Sequence, residues 1–329
     1  MRTLDHLTIG ISTSALFDMR IPEQIFRERG VEGYRKYMSR TKSTLLKPGP
    51  AFAAIHTLSN IFKNSHTPLP FSFALVSKND MATSERAMKS CHEYGIMHPS
   101  AVFSGGRPHI HYLKTHDVGM FITDKQDDAD AAMRQGVAAM SINGPLESFD
   151  TIQSRNMTKL HLAWDLDRVL FGSEADIKFG ELGYHGYVDS ELEQSSVPLS
   201  KGPFADICRF FGDLAKQFDE PDKTGTPFIN SVVTARGQKA SMRAMQSLTT
   251  LGIYMNGEAH FCGSQRVVDG KLNGWIAGKG PVLAACQDAH PDECILFMDD
   301  SSANTESAVK SGVAAGLVPR CEPGGGLNG

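Results

Sequence analysis

The sequence predicts an α/β protein built from two tandem, doubly wound units, each with a parallel sheet. Short apolar segments of strand length alternate with amphipathic segments of helical period. The two halves of the chain also resemble each other at a slowly growing offset, and polar side chains directly follow several apolar segments. Alternating strands and helices place helices on both faces of a parallel sheet. Ligands of such folds bind at the carboxyl ends of the strands, which is where these polar side chains are expected.

Apolar segments bounded by turn residues are predicted to be strands, and segments with apolar residues at helical spacing are predicted to be helices. The predicted strands are Leu7 to Ile11, Phe71 to Val76, Gly119 to Ile122, Lys159 to Trp164, Phe228 to Val233 and Ile295 to Met298. The predicted helices are Ala51 to Phe62, Ser84 to Tyr94, Asp128 to Gln135, Phe204 to Phe218, Lys239 to Leu251, Pro281 to Ala289 and Thr305 to Ser311.

A pair of carboxylates, Asp165 and Asp167, follows the apolar strand segment that ends at Trp164. Side chains alternate between the two faces of a strand, but both can converge on one site where the strand breaks into a loop. In that arrangement one carboxylate can act as a nucleophile and the other as a general acid and base. An Asp-x-Asp triplet is by itself also typical of a solvated turn.

Three further elements follow in a fixed order. Thr234 ends a β-branched strand segment, Lys279 lies in the loop Gly278-Lys-Gly-Pro281, and Asp299 and Asp300 follow the apolar segment that ends at Met298. Each has an ordinary structural explanation: a helix cap, a solvated loop charge and a turn. Their combination and order are specific.

This order of Asp-x-Asp, Thr, Lys and Asp-Asp resembles the four motifs of the haloacid dehalogenase (HAD) superfamily of phosphotransferases and phosphatases. A closer resemblance is to the cytosolic 5'-nucleotidase I family, and it covers the chain from about Leu7 to about Pro319. The segments that carry it are Ala163-Trp-Asp-Leu-Asp-Arg-Val-Leu-Phe171, Val232-Val-Thr-Ala-Arg236, Gly278-Lys-Gly-Pro281 and Gly49-Pro-Ala-Phe52. An extra polar loop, residues 265–274, departs from the family pattern, and its Asp269-Gly270 pair predicts a hairpin turn.

The resemblance implies a HAD-like (Rossmannoid) fold and a role for each motif residue. Asp165 forms an aspartyl phosphate, and Asp167 first donates a proton to the leaving oxygen and then accepts one from water. Phosphoryl oxygens are bound by the Thr234 hydroxyl and the Ala235 N–H, with Arg236 as a further substrate-binding residue. Lys279 balances the charge that builds on the nucleophile and the phosphate.

The resemblance also implies a Mg²⁺ site, with Mn²⁺ as a plausible substitute. The expected direct ligands are a carboxylate oxygen of Asp165, the backbone carbonyl of Asp167 and the carboxylate of Asp300. Asp299 is expected to orient waters or Lys279.

The first half of the chain repeats the second without its acid pair. Ser12 and Ser14 lie 153 positions before Asp165 and Asp167, Ser77 lies 157 before Thr234, and Asp124 lies 176 before Asp300. A serine hydroxyl does not replace an ionised nucleophile or a magnesium ligand. Ser77, Asp124 and Lys114 keep side chains that are chemically compatible with the roles of Thr234, Asp300 and Lys279. Chance similarity between two α/β units is the alternative to duplication.

We therefore predict a degenerate, non-catalytic unit over residues 1–150 and a catalytic unit over residues 151–320. Residues 173–199 are expected to form a small cap in the second unit. Two of its aromatic residues, Tyr184 and Tyr187, either stack on a nucleobase or pack the cap. The Gly-rich residues 321–329 are expected to be a flexible tail.

Composition excludes several classes of protein. The formal net charge is −4, and the sequence has no block of Lys and Arg of the kind that binds nucleic acid. No apolar segment approaches the length of a membrane span, and the first residues lack a signal-type segment. The six cysteines form no Cys-x-x-Cys pair and no zinc spacing, so reduced thiols in a cytoplasmic protein are expected.

Together the motifs and the resemblance predict a magnesium-dependent 5'-nucleotidase acting on AMP-like substrates, with IMP and deoxynucleotides as further candidates. Two alternatives stay open: a phosphatase for other small phosphomonoesters, and a nucleotide-sensing protein with weak activity. A nucleotide effector bound to the first half and a homo-oligomer also stay open as partners.

Overall fold

The computed structural model of the chain describes residues 4–65, 69–96, 100–218, 225–263, 265–268, 271–274 and 279–320. The predicted tail and Gly278 lie outside the described residues. The chain divides into two compact units: Asp5–Thr158 is one, and Leu4 together with the chain from Lys159 onward is the other.

The first unit contains a five-stranded parallel sheet with the strand order β3-β2-β1-β4-β5. Its strands are β1 (Leu7–Ile11), β2 (Phe71–Ser77), β3 (Ser100–Phe103), β4 (Val118–Thr123) and β5 (Ala138–Asn143). Its helices are α1 (Thr13–Leu16), α2 (Arg20–Arg40), α3 (Phe52–Asn64), α4 (Met81–Glu93), α5 (Tyr112–Thr115), α6 (Gln126–Arg134) and α7 (Phe149–Ser154).

The second unit contains a parallel sheet with the strand order β8-β7-β6-β11-β12. Its strands are β6 (Lys159–Trp164), β7 (Phe228–Thr234), β8 (Ala259–Phe261), β11 (Glu293–Asp299) and β12 (Ala314–Leu317). Its helices are α8 (Glu174–Glu193), α9 (Ala205–Phe218), α10 (Gln238–Thr250), α11 (Gly280–Ala289) and α12 (Ser302–Lys310). A separate antiparallel pair joins β9 (Gln265–Val268) to β10 (Lys271–Gly274), on either side of the predicted turn Asp269-Gly270, which lies outside the described residues.

Burial explains why these segments form central strands. Every residue of β1 and of β11 is buried, and five of the six residues of β6 are. Strands covered on both faces read as nearly continuous apolar runs, which is the pattern that identified them in the sequence. The predicted α/β class with parallel sheets is confirmed.

Both sheets reverse their winding beside the first strand of the unit. In the first unit β1 lies between β2 and β4, and in the second β6 lies between β7 and β11. The carboxyl ends of strands that flank such a switch point form the usual binding crevice of this architecture.

Several details occur once in each unit. A glycine interrupts the long helix of each unit with a positive φ: Gly30 at 64° in α2 and Gly183 at 66° in α8. The amide of Leu46 donates to the Ser90 hydroxyl at 2.9 Å, and the amide of Leu199 donates to the Ser247 hydroxyl at the same distance. These pairs lie at the offsets that the sequence repeat predicted.

The predicted strands and helices are found within a few residues of their expected ends, but several elements were missed. The short strands β3, β5, β8 and β12 carry few large apolar residues, and α2 and α8 are weakly amphipathic because a glycine breaks each helix. Helix α4 begins at Met81, three residues before its predicted start, because the Asp80 carboxylate caps it by accepting from the Thr83 amide at 2.9 Å.

Gly202→Ala is expected to destabilise the second unit by about 1–3 kcal/mol, because a Cβ at this position meets the backbone carbonyl oxygens of Val169 and Phe171. Gly180→Ala is the matched control, since no atom lies within 4 Å of the added Cβ. Thermal and denaturant unfolding measure both variants. Equal stability of the two variants would contradict the close approach.

Candidate active site

The chain bends sharply after β6 and places Asp165 at the edge of the sheet. The Asp165 amide still donates to the Met298 carbonyl at 2.9 Å, as a residue of the strand would. The wide turn Leu166–Leu170 follows, and inside it Asp167 and Arg168 leave the helical conformation, with φ at Arg168 reaching 60°. Asp165 is buried and Asp167 is partly exposed. The strand end therefore presents two carboxylates from one turn, as the sequence predicted.

Lys279 joins the end of β6 to the end of β11. Its side chain is buried, and its ammonium lies 2.7 Å from Asp165 Oδ1 and 2.6 Å from Asp299 Oδ2. Burial lowers the pKa of Lys279, but the two carboxylates more than offset this effect, so that its pKa lies above the ordinary value. Lys279 is thus a fixed positive charge between two acids.

Asp299 is a fully buried structural partner of this lysine. Its Oδ1 accepts from the Ser301 amide at 2.8 Å and from the Asn304 side-chain amide at 3.2 Å. Its Oδ2 accepts from Lys279 and from the same amide of Asn304 at 3.1 Å. Both oxygens of Asp299 are therefore already engaged.

Asp300 differs from Asp299 in having an oxygen without a hydrogen bond. Its Oδ2 is buried and makes no hydrogen bond, although Arg320 Nε lies 2.9 Å away as an ion-pair partner. Burial raises the pKa of Asp300 to about 6, with a further increase from Asp299. Oxygens of Asp165, Asp299 and Asp300 lie within 4.8 Å of one another.

This acidic cluster fits a hard divalent cation. Burial raises the pKa of Asp165 to about 8, and although Lys279 opposes this effect, Asp299 and Asp167 add to it. Lys279, Arg236 and Arg320 each pair with one or two of these carboxylates, yet the pKa values of Asp165 and Asp300 remain raised. A divalent cation with a preference for oxygen ligands would relieve both the repulsion and the burial cost.

Arg236 holds Asp167 in a bidentate pair. Its Nη2 and Nε donate to the two oxygens of Asp167 at 2.7 Å and 2.9 Å. Its Nη1 donates to Glu191 and to the Ala240 carbonyl, the latter at 2.8 Å. The guanidinium is buried, yet its pKa is raised, because the attraction of Asp167 outweighs the burial cost.

The sequence predicted Arg236 as a substrate-binding residue, and the structure gives its side chain a different partner. All three guanidinium nitrogens donate within the protein, to Asp167, Glu191 and Ala240. In this arrangement Arg236 positions Asp167.

Thr234 and Ala235 lie where β7 ends, on the strand next to β6. The Thr234 hydroxyl is buried and accepts from the Arg236 amide at 3.2 Å, which closes a tight turn around Ala235. The turn places Thr234 and Ala235 at the carboxyl end of the sheet, as does the bend that carries Asp165. The predicted motif residues of the second unit therefore lie at one edge of its sheet.

Sequence reasoning missed Glu191 and Arg243. Glu191 is fully buried on α8, and besides Arg236 it accepts from Arg243 Nη1 at 2.8 Å. Arg243 also donates to the Val197 carbonyl at 2.8 Å. The sequence marks Arg243 in one way, because it matches Arg86 in the repeat. Glu191 lies in the predicted cap, where a role was predicted only for aromatic residues.

The two aromatic residues singled out in the cap stretch have different surroundings. Tyr187 is buried in a small cluster with Ala175 and Ala240, and its ring lies 6.0 Å from the Arg236 guanidinium. Burial raises the pKa of the Tyr187 hydroxyl well above its ordinary value. Packing, rather than an open face for a base, describes Tyr187 here, whereas Tyr184 is only half-buried.

The first unit has no acid pair at the corresponding bend. The Ser12 hydroxyl accepts from the Ala15 amide at 3.1 Å, and the Ser14 hydroxyl donates to Asp124. Asp124 in turn pairs with Lys125 at 2.8 Å. Lys114, which was predicted to keep compatible chemistry, has an exposed side chain on α5, whereas the side chain of Lys279 is buried.

A cavity of about 480 Å³ lies at this end of the first unit. Three buried side-chain atoms on its wall lack a hydrogen-bond partner: Thr13 Oγ1, Asn79 Nδ2 and His109 Nδ1. Polar atoms in this state usually bind a ligand or water. The charges on the cavity wall nearly cancel. The cationic residues are Arg27, Arg35, Lys78 and Lys125, and the anionic residues are Glu23, Asp80 and Asp128.

The family assignment agrees with this site. A family model described as 5'-nucleotidase matches residues 1–322. The chain belongs to the 5'-nucleotidase family. Within it, the predicted resemblance to cytosolic 5'-nucleotidase I is confirmed by similarity to cytosolic 5'-nucleotidase 1B of Homo sapiens, at 26% identity over 318 residues and 94% of this chain.

The chain spans 48% of the length of that relative. No solved structure gives a significant match. Among the described residues, no helix has the length and apolar character needed to cross a membrane.

Glu191→Gln is expected to lower the free energy of unfolding by about 3–5 kcal/mol, because Arg243 then stays buried without a carboxylate partner and Arg236 keeps only Asp167. Glu193→Gln is the matched control, since Glu193 is exposed on the same helix. Denaturant unfolding measures the difference. A loss below about 1 kcal/mol in Glu191→Gln would show that the buried pairs contribute little.

Proposed function

We propose that this chain hydrolyses nucleoside 5'-monophosphates to a nucleoside and phosphate. The observation that carries the proposal is buried Lys279, which bridges Asp165 and Asp299 at the carboxyl end of the second sheet. A fixed cation beside an activated carboxylate suits transfer of a phosphoryl group, whose charge must be balanced in the transition state. The nucleoside part of the proposal rests on the family, with AMP-like substrates favoured and IMP and deoxynucleotides as further candidates.

In the proposed reaction Asp165 attacks phosphorus in line. An aspartyl phosphate forms, and the bond to the ribose oxygen breaks. Lys279 stays within 2.7 Å of the nucleophile and balances the charge on the phosphoryl group. Thr234 and the Ala235 N–H bind phosphoryl oxygens from the neighbouring strand end.

Asp167 is the proposed proton carrier in both steps. It gives a proton to the leaving ribose oxygen and later takes one from the water that cleaves the aspartyl phosphate. Both of its oxygens accept from Arg236 in the structure. One oxygen must therefore part from Arg236 before Asp167 can donate a proton.

The proposed metal ligands are Asp165, the Asp167 carbonyl and Asp300, around Mg²⁺ or Mn²⁺. When bound, the ion neutralises phosphate oxygens and orients them. Asp300 lies within 4.8 Å of Asp165 and Asp299, and its Oδ2 makes ion pairs with Arg320 and Arg168 but no hydrogen bond, which supports Asp300 as a direct ligand. The engaged oxygens of Asp299 support its role as the partner of Lys279.

We further propose that the two units are tandem HAD-like folds, the first of them a degenerate, non-catalytic copy. Equivalent strand orders and the matched glycine kinks of α2 and α8 support this duplication. The proposed boundaries are residues 1–150 and 151–320, with a cap over 173–199. A cytosolic location is proposed from the name of the human relative.

The cavity of the first unit favours a second function, binding of a nucleotide effector without hydrolysis. Phe26 and Tyr34 on its wall offer aromatic faces on which a base can stack. Ser77 keeps the turn geometry of Thr234, since its hydroxyl accepts from the Asn79 amide at 3.2 Å. Because Ser12 and Ser14 replace the acid pair, a phosphate bound there would lack the carboxylate nucleophile.

A phosphate-release screen tests the main function. Nucleoside monophosphates with Mg²⁺ are expected to exceed sugar phosphates and other small phosphomonoesters in kcat/KM. The reverse order would favour the alternative, a general phosphatase. No release from any substrate by the folded protein would leave the nucleotide-sensing alternative.

Replacing the acids should separate the two halves. Asp165→Ala is expected to abolish turnover, and Asp167→Asn to lose about 10²–10⁴-fold in kcat. Ser12→Ala is the matched control, because Ser12 occupies the place of Asp165 in the first unit, and it should keep kcat. Loss of kcat in folded Ser12→Ala under saturating substrate and Mg²⁺ would show that the first half takes part in the chemistry.

Metal removal should stop the reaction, and Mg²⁺ or Mn²⁺ should restore it. Asp300→Ala is expected to weaken activation by Mg²⁺, because it removes a direct ligand. Asp299→Ala should instead lower stability and kcat by freeing Lys279. Full turnover in excess EDTA would rule out the metal-dependent reaction. Weaker Mg²⁺ activation in Asp299→Ala rather than in Asp300→Ala would make Asp299 the direct ligand.

Effector binding is tested in the Asp165→Asn protein with EDTA present, using ADP, ATP and GTP as probes. Val31→Trp, on the cavity wall, is expected to weaken binding at least about tenfold, while Leu146→Trp, a comparably exposed site off the wall, should not. Equal binding by the two variants, or none by the parent, would remove the effector proposal.

A further inference from the structure

Three potential metal ligands in the second unit, Glu258, His260 and Cys286, converge away from the acidic cluster with ligand atoms within 4.8 Å of one another, and His290 contacts the other oxygen of Glu258. Glu258 and His260 come from the start of β8, and Cys286 and His290 from the end of α11 and the residue after it. Glu258 Oε2 lies 2.8 Å from His260 Nε2 and 3.1 Å from Cys286 Sγ. Cys286 Sγ lies 3.5 Å from His260 Nε2, and His290 Nε2 lies 3.3 Å from Glu258 Oε1.

These residues do not form a nucleophilic relay. In a Cys-His-acid triad the thiol and the carboxylate contact different nitrogens of the imidazole. Here the same nitrogen, His260 Nε2, faces both Cys286 and Glu258. The donor atoms therefore surround one point instead of following one another in a chain.

The spacing of three of these atoms is close to that of ligands around one tetrahedral ion. Zinc bonds of about 2.0–2.3 Å to nitrogen, oxygen and sulfur give ligand-to-ligand edges of about 3.3–3.8 Å. Cys286 Sγ and His260 Nε2 lie 3.5 Å apart, within this range, and Glu258 Oε2 lies closer to both, at 3.1 Å and 2.8 Å, so the carboxylate must move outward when an ion enters. Oxygens of Glu258 approach all three other ligands.

The chemistry of the set selects a class of metal. One thiol, two imidazoles and a carboxylate suit Zn²⁺ and its neighbours in the first transition row, whereas Mg²⁺ requires oxygen ligands. The sequence shows no zinc spacing between cysteines, because this set has a single cysteine. His290 lies four residues after Cys286, and Glu258 and His260 come from another element.

We propose that Glu258, His260, Cys286 and His290 bind one transition-metal ion of the zinc class. The side chains of Glu258 and His290 are 43% and 41% exposed, so an ion can enter from solvent. Cys286 closes the inner side of the site and is buried. This proposal is independent of the proposed hydrolase activity.

An ion at this position would cross-link β8 to α11. Helix α11 begins at Gly280, immediately after Lys279, and Leu283 donates back to the Lys279 carbonyl at 3.2 Å. Fixing the far end of the helix therefore restrains the segment that carries the lysine. A stabilising rather than a chemical role follows, since no oxygen of the acidic cluster belongs to this set.

Cobalt is the first probe, because Co²⁺ occupies zinc sites and a thiolate ligand gives it a charge-transfer absorption band. The full chain is stripped with a chelator, dialysed into excess Mg²⁺ and titrated with Co²⁺ and then with Zn²⁺. One equivalent of Co²⁺ with a thiolate band, displaced by one equivalent of Zn²⁺, is expected. A rise in melting temperature should accompany binding.

Variants locate the site. A residue that only contacts a metal ligand contributes about 10- to 100-fold to metal affinity. Cys286→Ser and His260→Gln each remove a proposed direct ligand, so each should weaken Zn²⁺ binding by more than that. His185→Gln, at an exposed histidine of α8, and Asp300→Ala, in the acidic cluster, should keep the band. Circular dichroism of the metal-free variants checks that they fold.

Two results would overturn the proposal. One is that the parent protein shows no thiolate band and binds zinc no more tightly than Cys286→Ser does. The other is binding that survives both Cys286→Ser and His260→Gln, which would assign the ion to other residues.

Discussion

The second unit depends on one buried ion pair network, in which Lys279 lies between Asp165 and Asp299. An isolated charge in this position would be strongly unfavourable, and two acids without the lysine would repel each other. The three residues come from three separate segments: the bend after β6, the start of α11 and the end of β11. Correct arrangement of the sheet edge is therefore a condition for neutralising the charges, and the charges in turn hold the edge together.

A second buried network couples helix α8 to the same edge. Glu191 on α8 lies between Arg236, in the turn after β7, and Arg243 on α10. Through Arg236 it reaches Asp167. Movement of α8 would thus change the support of the proposed proton carrier, although no atom of Glu191 contacts it. In the first unit, α2 is linked to the sheet edge by other contacts: Tyr34 donates to Asn79 at 2.9 Å, and the partly exposed Arg35 pairs with Asp80 at 2.7 Å.

The sequence alone predicted the parallel α/β units, most strands and the residues at the sheet edge. These succeed because a central strand is apolar throughout and the motif side chains must follow it directly. The partners of Arg236 were not predictable, since an arginine beside a phosphate-binding turn suits a substrate as well as a carboxylate. The exposure of Lys114 was likewise not predictable, because a matching residue type in a short helix says nothing about burial. The group of Glu258, His260, Cys286 and His290 was not predicted, because its two halves are far apart in the sequence and combine different residue types.

The proposed duplication implies that more than the acid pair differs between the two units. At the repeat offsets, Met38 stands where Glu191 does and Asn79 stands where Arg236 does, beside the serines that replace both motif carboxylates. Arg86, the equivalent of Arg243, donates to the Thr41 hydroxyl at 2.9 Å instead of to an acid. Under the proposed duplication, the counterparts of Glu191 and Arg236 changed together with the acid pair, whereas Arg86 was kept as a buried arginine with neutral acceptors. A lone Ser12→Asp change would bury an acid without the contact to a buried lysine that Asp165 has, so this single substitution would not restore the arrangement of the second unit.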